Sequence, residues 1–413
     1  MWSRSIVLVV IVSTVATTFL PGFAGGPYEQ AADRSPSDVL PADLATGPYH
    51  RVLNPIMADG YMLHFTVEST FGPFEVTGLG ALRKLVRELS AIAELKKIKN
   101  SEAWGKQVKN SATGSLQFVG KLITNPVDTV SGLPKGIYKG VENVKTTASS
   151  PKDPNQDSTA QVVLLQSGFK REYAASLGVD PYSSNPVLQK ELNSVAWAAA
   201  AGAWTVTAAT MPIGGTAGAV LTGTKLGDTV GDYLKSEAPA DLRRRNEKRL
   251  TDIGVRKDLI TRYLDHKAFT PRHDTIMAES LARLGTVAGR DAFLETALLA
   301  EDEADANFIV ATAQLMRGYH ETVSPLVDIQ QLSGVTLARA RSGVTLVAFP
   351  LDYGVWTQRA DQVTDEMKTK YAAPTGKFDL WVMGRVSAQA KQHLARKKIA
   401  VTEEINTRVE IVD

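Results

Sequence analysis

The chain contains no cysteine. Disulfide bonds, thiolate metal sites, a cysteine nucleophile and a lipid-modified cysteine anchor are therefore excluded. An excess of one charge is also missing, because 46 lysine and arginine residues nearly balance 44 aspartate and glutamate residues, giving a formal net charge of +2. Proteins that bind nucleic acid usually present a strongly basic face, so this balance argues against a nucleic-acid partner.

The composition has no extreme that would signal disorder or a polytopic membrane protein. Hydrophobic residues make up 44% of the chain and charged residues 22%, both close to the averages for folded soluble proteins. At 413 residues the chain is long enough for two or three domains.

The first 24 residues carry the three-part pattern of a secretory signal peptide. Arg4 precedes an apolar core at Ile6–Val12, and small residues follow at Gly22 and Ala24. This pattern predicts cleavage near Ala24 and an exported protein, periplasmic or extracellular. A retained anchor is the alternative, although a membrane span needs about 20 apolar residues.

The predicted organisation after the signal peptide has five parts. Residues 25–60 hold five prolines and little periodicity, which indicates an extended leader, packed on a domain or free, with ordered structure starting at Tyr61. Alternation over 63–67 and 74–76 predicts a hairpin, and an apolar stripe over 79–95 predicts an amphipathic helix. The predicted parts are the leader at 25–60, the hairpin with amphipathic helices at 61–148, a linker at 149–159, a helical domain at 160–325 and a small α/β domain at 326–413.

These patterns together predict a helix-rich α+β fold. In the helical domain, residues 290–322 form the clearest helical pattern. In the small α/β domain, the order β-β-α-β-α-β makes Leu380–Met383 the most buried strand. Ile399–Ile405 and Arg408–Val412 are predicted as edge strands.

Two segments have glycine at every fourth position, the first over 125–145 and the second over 214–234. Small residues four apart let another backbone approach closely, at a cost of about 0.5–1 kcal/mol per glycine in a helix. One interpretation is a contact with a membrane surface or partner, with lysines near lipid headgroups. The other is close helix packing inside the protein. The predicted contact residues are Gly132, Lys135, Gly136, Ile137, Lys139, Gly140, Gly223, Gly227 and Gly231.

Motifs for catalysis and cofactor binding are weak throughout the chain. The order of residues at 218–225 does not match a phosphate loop, His266 and His273 lack a metalloprotease spacing, and no G-x-S-x-G motif is present. We therefore predict no cofactor and no metal. Asp352 follows a predicted strand end, where α/β domains often place their chemistry, so it is the one catalytic candidate, with a loop cap as its alternative.

Several blocks of sequence resemble a family of exported bacterial proteins with no assigned activity. The blocks are DGYMLHFTVESTFGPFEV at 59–76, NPVDTVSGLPKGI at 125–137, LGVDPYSSNPVLQKEL at 177–192, LDYGVWT at 351–357 and LWVMG at 380–384. The resemblance implies export and one multi-part architecture, and it carries no catalytic residues.

These observations predict an exported, non-enzymatic cell-envelope protein that binds a membrane surface or an envelope protein through its glycine-spaced helices. The alternative is an envelope enzyme, such as a hydrolase, with a site in the C-terminal domain near Asp352 or Gly384. A third interpretation makes the long helices the interface of a homo-oligomer.

Overall fold

The computed structural model describes residues 28–101, 166–200, 225–371 and 375–412. Helices and several sheets share this part of the chain, which confirms the predicted helix-rich α+β fold.

The first part of the described chain builds a five-stranded antiparallel sheet around a central strand, β4 (Leu63–Ser69). Leu63, Phe65 and Val67 are buried on one face of β4, which confirms the predicted hairpin with the next strand, β5 (Phe74–Thr77). The elements are α1 (Pro36–Val39), α2 (Ala42–Ala45), β1 (Thr46–Gly47), β2 (His50–Val52), β3 (Met57–Ala58), β4 (Leu63–Ser69) and β5 (Phe74–Thr77).

The expectation that ordered structure starts at Tyr61 is wrong. Residues 36–58 form two short helices and three short strands instead of an extended leader. Several of their apolar side chains are buried, including Val52 and Ile56, and two to four residues are too few to show a period in the sequence. The segment just before them is also held, because the Glu29 carboxylate accepts hydrogen bonds from the Trp356 N–H (2.7 Å) and the Ser387 hydroxyl (2.5 Å).

A layer of helices follows the first sheet. Helix α3 (Leu79–Asn100) buries the predicted apolar stripe, including Leu82, Leu89 and Ile92. It packs against α5 (Pro186–Ala200), which follows a helix at 166–176, α4. Within the described ranges, no helix is long and apolar enough to cross a membrane.

The helical middle continues with six helices, and its apolar side chains join the second and largest core. The single helix predicted over 290–322 is two helices, because Asp302 accepts a hydrogen bond from the Asp305 N–H (3.0 Å) and so starts a new one. The six are α6 (Lys225–Ser236), α7 (Pro239–Asp252), α8 (Lys257–Leu264), α9 (Pro271–Ala282), α10 (Arg290–Ala297) and α11 (Glu303–Thr322).

The C-terminal sheet has five strands, β6 (Leu326–Leu332), β7 (Val335–Ala340), β8 (Thr345–Ala348), β10 (Phe378–Trp381) and β12 (Ile399–Thr402). Their order in the sheet is β12-β10-β8-β7-β6. Pairing is parallel between β12, β10 and β8 and antiparallel from β8 to β6. Helices α12 (Gln358–Lys370) and α13 (Ala388–Arg396) complete the unit, and β9 (Tyr353–Gly354) pairs with β11 (Arg385–Val386).

Three details of this unit differ from the prediction. The most buried strand is β8 and not Leu380–Met383, since all four β8 residues are buried. Strand β6 was not predicted, because this edge strand has no regular alternation of buried and exposed side chains. Residues 408–412 form no strand, and a 3₁₀ turn at Ile405–Thr407 precedes them.

Residues 408–412, here called the C-terminal tail, lie along α11 instead of joining a sheet. The Gln314 side chain accepts from the Val412 N–H (2.7 Å) and donates to the Val412 carbonyl (3.3 Å), as a strand neighbour would. Val409 packs directly against Gly318, where a Cβ atom would come within 2.8 Å of its side chain. The Glu410 carboxylate accepts from the Leu226 and Gly227 N–H groups at the start of α6.

Candidate functional site

A cavity of about 660 Å³ lies where α3, the chain after α4, α6 and the C-terminal tail meet. We call it the junction cavity. Its volume is in the range of about 300–1,000 Å³ that is typical of small-molecule sites. Its walls come from separate segments that meet only in the fold, so it is a candidate ligand site.

Cationic side chains form one side of the junction cavity. Three of them, Arg83, Lys84 and Arg87, project from the polar face of α3, opposite the buried stripe that fixes this helix on the first sheet. Lys84 donates to the Glu303 carboxylate at 2.7 Å, so its position is fixed by α11. The cationic lining residues are Arg83, Lys84, Arg87, Arg171, Lys235 and Arg272.

Carboxylates face the same space. Glu88 is buried and accepts from the Ser183 hydroxyl (2.5 Å) and the Asn185 amide (2.9 Å). Burial raises the pKa of Glu88, and Lys84 and these two hydrogen bonds partly offset the effect. The other acidic lining residues are Asp180, Asp228, Asp232 and Glu410.

Asp180 has one satisfied and one unsatisfied carboxylate oxygen. It is 7% exposed, and its Oδ1 atom accepts from the Tyr182 N–H at 2.8 Å. Its Oδ2 atom is buried without a hydrogen-bond partner. A buried acceptor left without a donor costs about 1–3 kcal/mol, so this atom is a natural point for a donor from a ligand.

The predicted contact residues Gly227 and Gly231 lie on α6 and line the junction cavity. Leu226, Val230 and Leu234 form the buried stripe of this helix, and Gly231 is exposed. A Cβ atom at Gly231 would meet no atom within 4 Å, so close packing does not explain this glycine in the described structure. Residues Gly132, Lys135, Gly136, Ile137, Lys139, Gly140 and Gly223 lie outside the described residues, and their roles stay predictions.

Asp352, the catalytic candidate, has the hydrogen bonds of a cap. Its Oδ1 atom accepts from the Leu79 N–H at the start of α3, and its Oδ2 atom accepts from the Leu63 N–H of β4, each at 3.1 Å. Burial raises its pKa to about 6, against the opposing effect of these two bonds and of Arg83. The carboxylate thus joins the C-terminal unit to the hairpin and to α3.

Replacing Asp352 with alanine should destabilise the protein by about 2–6 kcal/mol, since two N–H groups lose their acceptor at about 1–3 kcal/mol each. Urea denaturation measures this loss. The exposed Asp258, replaced in the same way, is the control and should change stability by less than about 1 kcal/mol. Equal midpoints for the two variants would contradict the capping role.

Gly384, named with Asp352 in the sequence prediction, contacts the backbone of Asp352. The Gly384 N–H donates to the Leu351 carbonyl at 2.8 Å. An added Cβ atom would lie 1.8 Å from the Asp352 carbonyl oxygen. Gly384 therefore holds the loop from which Asp352 reaches α3.

Comparison with known proteins does not add a relative. No protein-family model matches the chain, and neither a curated protein nor a solved structure does. The resemblance to exported bacterial proteins stays a prediction, and the function has to be argued from the site itself.

The site residues Glu88 and Asp180 were missed from the sequence. In the sequence Glu88 is one of several charges on the polar side of α3, and Asp180 precedes Pro181 in a loop. Only the fold places them in one cavity with Gly231 and Glu410. In the described residues, no group of three or more His, Asp or Glu side chains is arranged to hold a metal ion.

Proposed function

We propose that this is an exported cell-envelope binding protein that holds a zwitterionic ligand, an amino acid or short peptide, in the junction cavity. The observation that carries this proposal is that Asp180, a lining residue of the cavity, has a buried Oδ2 atom without a hydrogen-bond partner. An ammonium group is the donor that suits a carboxylate best, because charge strengthens the hydrogen bond.

The rest of the lining suits the other end of such a ligand. The cations of α3 face the cavity, and arginine binds a carboxylate through paired N–H groups. Gly231 leaves the wall of α6 without a side chain, so a peptide backbone can approach the helix closely. Acidic and basic residues in one lining favour a ligand that carries both charges over a polyanion.

Export and a second contact with a membrane surface or an envelope protein belong to the same proposal. The lysine-bearing glycine segment at 132–140 would make that contact, and its sequence pattern is the support. Alternatively, the partner is a second copy of this chain, bound through the long helices.

The experiment is isothermal titration calorimetry of the chain without its predicted signal peptide (residues 25–413), using pools of amino acids and of dipeptides. We expect saturable binding that Asp180→Asn weakens at least about tenfold, because a charged acceptor is lost. Gly231→Leu should also weaken binding by filling the cavity. Ser236→Leu adds the same side chain to the same helix outside the lining and is the matched control.

Either of two results would overturn this proposal. One is the absence of binding by any pool. The other is binding that is equally strong in Asp180→Asn, Gly231→Leu and the control.

A further inference from the structure

Asp59, His64 and Thr77 form a hydrogen-bonded chain in the first sheet, apart from the junction cavity. The His64 Nε2 atom is 3.1 Å from Asp59 Oδ2, and His64 Nδ1 is 3.0 Å from the Thr77 hydroxyl oxygen. A carboxylate, an imidazole and a hydroxyl in this order are the parts of a nucleophilic centre: an orienting acid, a general base and an attacking oxygen.

The local fold fixes each member of this chain. His64 and Thr77 are directly opposite in the antiparallel pair of β4 and β5. Alternation along β4 buries Leu63 and Phe65 and places His64 on the other face. The Oδ1 atom of Asp59 accepts from the N–H groups of Tyr61 (3.0 Å) and Met62 (2.7 Å), which leaves Oδ2 for the histidine.

Thr77 stands between a strand and the start of a helix. It is the last residue of β5, and Gly78, with φ of 97°, turns the chain into α3. Thr77, Gly80 and Ala81 line a second cavity of about 70 Å³, here called the hairpin cavity. The first N–H groups of a helix have no acceptor within the helix, so the N–H groups of Gly80 and Ala81 can donate hydrogen bonds to an oxyanion.

We propose that Asp59, His64 and Thr77 are a hydrolytic centre that cleaves esters of short acyl groups. The Thr77 oxygen attacks the ester carbonyl carbon and gives its proton to His64. The bond to the leaving alcohol breaks, and the alcohol takes that proton. Water then attacks the acyl-threonine, His64 takes the proton of the water and returns it to Thr77, and the carboxylic acid leaves.

The size of the hairpin cavity sets the substrate class. About 10–15 Å³ of such volume holds one water molecule, so this cavity of about 70 Å³ accepts only about five to seven non-hydrogen atoms. Met62, Phe308 and Met383 give part of the lining an apolar surface. An acetyl or propionyl group fits these walls, and a long acyl chain does not.

The environment of His64 suits a base that works near neutral pH. The hydrogen bond to Asp59 raises the pKa of His64, partial burial opposes this, and the negative charges of Asp59 and Asp352 add to it. Protonated His64 cannot accept the proton of Thr77. Activity is therefore expected to rise as pH increases through the pKa of His64.

This centre goes beyond the proposed ligand binding and does not depend on it. In this inference the catalytic site lies in the first sheet, and not in the C-terminal domain where the sequence-based enzyme hypothesis had placed it. Asp180 is not part of the hairpin cavity lining and Thr77 is not part of the junction cavity lining, so variants at these two residues separate the two proposals.

The test is hydrolysis of p-nitrophenyl acetate by residues 25–413, with mass spectrometry to find an acetyl group on Thr77. Thr77→Val and His64→Gln should each lower kcat/KM about a hundredfold or more, and Thr77→Ser should retain activity. Asp59→Asn should shift the rise in activity to lower pH. Thr66→Val, on the same face of β4 but outside the chain of hydrogen bonds, is the control.

An inactive wild type would overturn the inference. So would activity that survives Thr77→Val, because the acyl group would then be carried elsewhere. Loss of activity in the Thr66→Val control, or no acetyl group on Thr77 during turnover, would do the same.

Discussion

Gly384→Ala is expected to lower the free energy of unfolding by about 3 kcal/mol or more. The new Cβ atom would lie 1.8 Å from the Asp352 carbonyl oxygen and 2.5 Å from its carbonyl carbon. Both are backbone atoms, so no side-chain rotation can relieve the overlap. The chain around 351–354 must move, and the Asp352 carboxylate would move with it, away from the N–H groups of Leu63 and Leu79.

Urea denaturation monitored by tryptophan fluorescence measures this effect. Gly231→Ala is the matched control, because the same methyl group there meets no atom within 4 Å on a helix. It should stabilise the protein by about 0.5–1 kcal/mol through helix propensity. The free energy of unfolding lost by the double variant Gly384→Ala/Asp352→Ala should be smaller than the sum of the two single losses. Both substitutions disrupt the same contact of the Asp352 carboxylate. Full additivity would contradict that coupling.

Asp274→Asn is expected to stabilise the protein by several kcal/mol above pH 8. The Oδ1 atom of Asp274 is buried near the fully buried Tyr263 and has no hydrogen-bond partner, and burial raises the pKa of Asp274 to about 8. Arg243 and Tyr263 oppose that increase. The folded protein therefore keeps a proton between pH 4 and pH 8 that the unfolded chain releases.

The sign of the pH dependence follows from this difference in bound protons. Stability contributed by Asp274 is complete below its ordinary pKa of 3.8 and is lost as pH rises through about 8. The slope is about 1.4 kcal/mol per pH unit. Asparagine has no proton to lose, so the free energy of unfolding of the variant should increase relative to that of the wild type as pH rises.

Unfolding free energies at pH 5, 7 and 9 test this prediction, with the difference between wild type and variant isolating Asp274 from other titrating groups. The same substitution at Asp258, on the exposed start of α8, is the matched surface control. An Asp274→Asn difference that stays constant from pH 5 to pH 9 would contradict the raised pKa.

Elements with a long, clear period could be predicted from the sequence. The alternation of Leu63, Phe65 and Val67 and the stripe of α3 each bury one face, so local pattern and tertiary environment agree. The short pieces at 36–58 could not be predicted, because distant contacts decide them. Val409 and Ile411 alternate like a strand, yet their partner is a helix whose Gln314 side chain replaces a neighbouring strand.

The candidate site shows the same limit. The position of Asp352 after a strand was visible, but its role was not, because the helix it caps begins 273 residues earlier in the chain. His64 was visible on the polar face of its strand. Its partner Thr77 requires the hairpin register, and Asp180 requires the packing of α3 against the segment after α4.

The contacts of Tyr28 and Glu29 impose an order on biosynthesis. Tyr28 bonds to Asp361, and Glu29 bonds to Trp356 and Ser387, at sequence separations of 327 to 358 residues. Residues at the start of the chain therefore find these partners only after nearly the whole polypeptide has been made. Closing so long a loop is slow, and this delay keeps the first segment undocked while translation proceeds.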